Sequence, residues 1–127
     1  MSLHQFVLST VLLLSAGVRL SAQKPPQFSF RETVIQIGNR SLKQGDTTVV
    51  FRYQNAGDSV LVIARIVPTC TCVVPEYSTE PLQPGDSATI VAHIAPYHTG
   101  HFDQTLVIVA NTRKTLSHVS IRGEITE

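Results

Sequence analysis

From residue 28 to residue 125 apolar and polar side chains alternate in short runs, most of them closed by glycine, proline, asparagine or aspartate. Successive side chains of a strand point to opposite faces, so a period of two predicts strands with one buried face. Residues 28–37 alternate at both ends and stop at Gly38-Asn39. Residues 46–54 set Val49, Phe51 and Tyr53 against Val50, Arg52 and Gln54, and end at the turn formers Asn55-Ala56-Gly57-Asp58. A β-branched run over 59–67 follows and stops at Pro68. After a proline-rich loop, Pro84-Gly85 has the chemistry of a type II turn, whose third position needs a positive φ. Residues 87–95 put Ala88, Ile90, Ala92 and Ile94 on one side. Strands over 102–110 and 116–125 complete the series, joined by residues 111–115. No window after the signal region has the 3.6-residue period and caps of a helix. Six or seven short strands in roughly a hundred residues predict an all-β fold, a β-sandwich. Tryptophan is absent, so the core must rest on Val, Ile, Leu and Phe.

The front of the chain carries a different pattern. Phe6 to Leu14 is one continuous apolar run, too short for the roughly 20 residues that a bilayer span takes. Leu20-Ser21-Ala22 then offers small residues for a peptidase cut after Ala22. The expected organisation is a signal peptide over 1–22, a linker over 23–27 stiffened by Pro25 and Pro26, and one domain over 28–127. The run is preceded by His4 but by no Lys or Arg, a departure from the usual signal. No cysteine stands directly after it, as a lipoprotein signal would need, and no later stretch suits a membrane helix. The expected location is the periplasm or the exterior, after cleavage near Ala22.

Charge narrows the partners. Without Arg19 the exported chain would hold nine basic and nine acidic side chains, the basic ones scattered along it with only Arg113 and Lys114 adjacent. A nucleic-acid binder needs a basic stripe to neutralise phosphates. Nucleic acid and anionic membrane surfaces are therefore excluded as expected partners.

Candidate chemistry is confined to Cys70-Thr71-Cys72, which holds the only two cysteines of the chain. Three readings stay open. The pair can be a structural disulfide in an oxidising compartment. In a straight strand, however, Cα atoms two residues apart are about 6.5–7 Å from each other, at the limit of what a disulfide spans. So tight a loop also constrains the unfolded chain little. The pair can hold a soft metal, copper(I) or zinc, with help from His98 or His101 of the turn motif His98-Thr99-Gly100-His101. Or it can be a thiol-redox pair, for which Arg65 is the one nearby cation in sequence. Ser78, Ser87 and Ser117 lack an elbow motif, and Glu76, Glu80 and Asp86 read as turn and surface residues. No catalytic residue, enzymatic activity or cofactor is expected. An interaction module remains: sheet edges can take a partner strand through backbone hydrogen bonds, and residues 28–37 and 116–125 are the candidate edges. Against that stand charged residues that guard edges from pairing, here Arg31, Glu32, Arg122 and Glu124.

The order of these signals resembles a known family. Phe51-Arg52-Tyr53-Gln54-Asn55-Ala56-Gly57-Asp58 followed by Leu61-Val62-Ile63 resembles its opening, and Cys70-Thr71-Cys72-Val73-Val74-Pro75-Glu76-Tyr77 resembles its C-G-C-T-x-P-x-Y loop. Pro81-Leu82-Gln83-Pro84-Gly85-Asp86-Ser87, Gly100 to Leu106, Asn111 and Ile121-Arg122-Gly123-Glu124-Ile125 complete the pattern of the domain of unknown function 1573 family. The resemblance runs from Thr47 to Ile125. It implies an exported protein of Gram-negative bacteria with an immunoglobulin-like, PapD-like antiparallel sandwich of about seven strands. It implies no activity. Thr71 stands where the family usually has glycine; a β-branched residue disfavours positive φ, so a more extended loop is expected here. The reading is a non-catalytic exported binding or structural module of the cell envelope, with an envelope protein as partner through a sheet edge. The alternative is a periplasmic soft-metal or thiol-redox protein built on Cys70 and Cys72.

Overall fold

The computed structural model describes residues 23–127; the signal peptide expected over 1–22 lies outside the described residues. Eight strands form two four-stranded sheets. β1 (Phe28–Phe30), β3 (Thr47–Asn55), β6 (Ser87–Ile94) and β5 (Val73–Glu76) lie side by side in that order in the first. The second holds β2 (Val34–Ser41), β8 (Leu116–Thr126), β7 (Gly100–Ala110) and β4 (Ile63–Pro68). Neighbours are antiparallel except β2 and β8, which run parallel. The sandwich is therefore mixed in direction.

The core follows from the alternation. Phe51 and Tyr53 of β3 and Ile90, Ala92 and Ile94 of β6 face Leu106 and Ile108 of β7 and Val119, Ile121 and Ile125 of β8, all of them buried. Removing this apolar surface from water is the main force holding the sheets together, at roughly 1.5–3 kcal/mol for each large side chain. Tyr53 also anchors β1: its ring centroid lies 5.3 Å from that of Phe28 and 5.7 Å from that of Phe30. Burial pushes the Tyr53 hydroxyl pKa up, because the apolar layer disfavours a phenolate.

Three elements differ from expectation. Residues 28–37 are two strands in different sheets, because the chain crosses over at Arg31–Thr33. The alternation shifts phase there: Phe28 and Phe30 pack against the core on even numbers, Ile35 and Ile37 on odd ones. The loop after Cys72 contains a further strand, β5, in spite of Pro75. Proline survives there because β5 is an edge and the missing N–H would have pointed away from β6. Finally, 116–125 is no edge, since β8 is flanked by β2 and β7.

Loops are fixed by polar side chains. The type II turn forms as its residues require, with Gly85 at φ 84° and Asp86 N–H donating to the Gln83 carbonyl at 3.1 Å. Asn55, 1% exposed, acts as more than a turn former. Its Oδ1 accepts from the N–H of Gly57 (3.0 Å) and Gln27 (3.4 Å), and its amide donates to the carbonyls of Ser59 (2.7 Å) and Leu82 (3.0 Å). The segment read as a linker is held by the same loop: Lys24 exchanges hydrogen bonds with Asp58, and the Gln27 carbonyl accepts from Ala56. Asn111 repeats the device, accepting from Val62 N–H and donating to the Val60 carbonyl.

Gly123 explains another local feature. It stands in the inward row of β8 opposite Phe102, and Ile37 of the β2 bulge fills the space a side chain would take. A Cβ on Gly123 would lie 2.5 Å from Ile37 Cγ1 and 2.6 Å from the Gly38 carbonyl oxygen.

Candidate functional site

The chain passes from β4 in one sheet to β5 in the other through the cysteine turn. Val73 N–H donates to the Cys70 carbonyl at 3.2 Å, so 70–73 is a closed turn and not the extended loop expected for Thr71. The reason is that this turn needs no positive φ: no described residue other than glycine has one. A β-branched threonine therefore fits. Turning brings the Cα atoms of Cys70 and Cys72 to 5.1 Å, and the two sulfurs are bonded. Cys72 is buried in the core cluster, and Cys70 packs at its margin. Ala95 N–H donates to the Cys72 carbonyl at 2.8 Å, which stitches the turn to the end of β6.

That stitch brings the 96–100 loop over the cysteines. Cys70, Cys72, His98 and His101 all line one cavity of about 20 Å3, the room of about one water. The imidazoles are otherwise engaged. His101 Nδ1 pairs with Glu124 Oε1 at 2.9 Å, and His98 Nδ1 lies 3.3 Å from the Thr99 carbonyl. With the sulfurs bonded to each other, no three His, Cys, Asp or Glu side chains among the described residues are placed to hold a metal ion. Arg65 is not among the residues lining this cavity. His93 pairs with Glu76 across β6 and β5.

The sheet edges differ sharply in what they offer a partner. On β5, Val73 N–H is taken by Cys70 and Pro75 has none. On β4, Ile66 N–H donates to the Tyr77 hydroxyl at 3.0 Å and Pro68 has no N–H. These two edges form one flank of the sandwich, which the cysteine turn and Tyr77 close. On the opposite flank β1 is only three residues long, whereas β2 has eight. Ser120 N–H donates to the Thr33 carbonyl, so Thr33 and Ile35 bond toward β8 while the backbones of Val34 and Gln36 point away from the sheet. No charge guards this stretch: 34–39 reads Val-Ile-Gln-Ile-Gly-Asn, and Arg31 and Glu32 sit in the crossover before it. Ile35, Ile37, Phe28 and Phe30 are only partly buried along this flank. Of the candidate edges, 28–37 remains, divided between the edge strands β1 and β2, and 116–125 does not. Sequence reasoning missed Tyr77 and Asn55, although both stand in the motifs quoted for the family.

A family model described as "Protein of unknown function (DUF1573)" matches residues 28–125. The chain belongs to the DUF1573 family. The match begins at Phe28, so it takes in β1 and β2, which the resemblance from Thr47 onward left out. Solved structures place this DUF1573 domain among immunoglobulin-like and PapD-like sandwiches. A protein of unknown function from Porphyromonas gingivalis W83 aligns with a TM-score of 0.67 at 14% identity, over 78% of this chain and 46% of that one. The DUF1573 chain thus spans a little under half the length of that relative. The ASH/PapD-like domain 7 of human CEP192 gives a TM-score of 0.62 at 10% identity, covering 79% of this chain and 85% of that one. The VesB protease of Vibrio cholerae gives 0.55 at 16% identity, over 80% of this chain and 32% of the protease. At such identities the likeness is one of fold, and no activity transfers with it. No curated protein matches the chain. Among the described residues of this DUF1573 protein, no helix is long and apolar enough to cross a membrane.

Proposed function

We propose that this protein is a non-catalytic, exported immunoglobulin-like module of the bacterial cell envelope that binds a partner protein. The observation that carries the reading is the asymmetry of the flanks. One is closed by a bonded cysteine turn, a tyrosine hydroxyl and two prolines, while the other presents a strand edge that carries no charge over 34–39. Natural sandwiches blunt their edges against pairing, so an edge left open on an otherwise blunted domain reads as a binding surface. Export is supported by the apolar run before Ala22 and by the bonded cysteines, which persist in oxidising compartments. The non-catalytic reading rests on the sequence, where Ser78, Ser87 and Ser117 lack an elbow motif.

The test is the intact mass of the protein recovered from its native host at native expression. The expected mass is that of residues 23–127 less two hydrogens, obtained from the periplasmic or secreted fraction. A cytoplasmic protein that keeps residues 1–22 and two free thiols would overturn the reading. The soft-metal or thiol-redox alternative rests on the one cavity shared by Cys70, Cys72, His98 and His101. It would gain ground if the reduced protein bound zinc or copper(I) below micromolar levels.

A further inference from the structure

We propose that β2 takes up an extended, uncharged segment of a different protein as an added strand, over Thr33 to Ile37. This rests on the binding-module reading above and names its site and the chemistry of its partner. Val34 and Gln36 each turn one N–H and one C=O away from the sheet, enough for four ladder hydrogen bonds. The ladder ends at the bulge between Gln36 and Gly38, where Gly38 has φ 67° and the strand changes direction. The bound segment is therefore about five residues long at the spacing of a strand.

Its side chains are set by what they would cover. Those on the inner face would lie over Ile35 and Ile37 and toward Phe28 and Phe30, apolar side chains the domain leaves partly exposed. Apolar residues two apart in the segment match this row. Those on the outer face would lie beside Val34 and Gln36 and be small or polar. A charged residue is disfavoured on the inner face, where Ile35 and Ile37 would cover it, and on the outer face the Arg122 of β8 beside Gln36 is already paired with Asp103 at 3.5 Å. A second copy of this chain fits poorly. It would join two folded domains through a contact of this length, far below the roughly 800 Å2 per partner of a standard interface. A flexible segment is not so limited, because it can follow both the edge and the apolar flank.

The test uses the full chain in its native envelope, with a photo-crosslinking side chain placed in turn at position 36 on β2, position 67 on β4 and position 97 in the 96–100 loop. The expected result is a defined adduct from position 36 alone, at a mass other than twice the chain. The adduct should fall at least tenfold in a background of Val34→Pro, which removes an outward N–H without touching the bonds to β8. Asn39→Pro, beyond the bulge, should leave the adduct in place and controls for loss of the fold. An adduct at twice the chain mass overturns the proposal in favour of self-pairing. Adducts from 67 or 97 but not 36 overturn it while leaving the binding module standing. No adduct from any position overturns both.

Discussion

Replacing Asn55 by alanine is expected to cost about 3–5 kcal/mol of folding free energy, a large share of the 5–15 kcal/mol that holds a typical domain together. The side chain satisfies two backbone N–H groups and two carbonyls from three separate segments, and it is buried. Leaving such groups unpaired costs about 1–3 kcal/mol each, lowered where water can reach the loop. The loss should show in urea unfolding as a lower midpoint at unchanged slope. Asn55→Asp separates hydrogen bonding from shape. It keeps an acceptor for Gly57 and Gln27 but turns a charge toward the carbonyls of Ser59 and Leu82. That carboxyl would have a raised pKa in the folded state, so the variant should be least impaired below the ordinary aspartate value of about 3.9. It should lose stability as pH rises through the folded value. An Asn55→Ala protein within about 1 kcal/mol of the parent would show that the loops do not depend on this side chain.

Gly123→Ala is expected to destabilise by about 2–3 kcal/mol, the range for forcing atoms into a packed site. The added methyl would meet Ile37 Cγ1 at 2.5 Å and the Gly38 carbonyl at 2.6 Å, and the second is backbone that cannot rotate aside. β2 must then shift along β8, so the damage should spread to amide protection at Ile35 and Ile37 while β3 and β6 stay as they were. Gly38→Ala is the control. Nothing lies within 4 Å of its Cβ position, so only the positive φ of 67° is strained, at about 1 kcal/mol. Equal losses in the two variants would mean that Ile37 does not pack into the hole over Gly123.

The half-buried strands were readable because their alternation is unbroken. Phe51, Tyr53, Ile90, Ala92 and Ile94 fall inward as their spacing demands. The crossover from β1 to β2 was hidden because both halves alternate, and only the phase slip at Arg31–Thr33 betrays a change of sheet. β5 was hidden by Pro75, which argues against a strand until it is known to lie on an edge. In the cysteine segment only the extended loop expected from Thr71 was misjudged, because a turn without positive φ suits threonine and shortens the Cα separation. Asn55 and Tyr77 could not be assigned from spacing, since their work is done on partners 27 and 28 residues away for Asn55 and 11 for Tyr77, as well as close by. The edges were the least legible feature of all. Which strands are outermost depends on the order of the sheets, and that order is set by long-range pairing.

The central claim is that β2 presents an open ladder where the edges of β4 and β5 are closed. Hydrogen exchange of single backbone amides, read by NMR on the purified protein, tests it directly. The amides of Val34 and Gln36 should exchange orders of magnitude faster than that of Ile35, while Ile66, bonded to Tyr77, and Val73, bonded to Cys70, stay slow. Slow exchange at Val34 and Gln36 together with fast exchange at Ile66 and Val73 would reverse the assignment of the flanks and contradict the account.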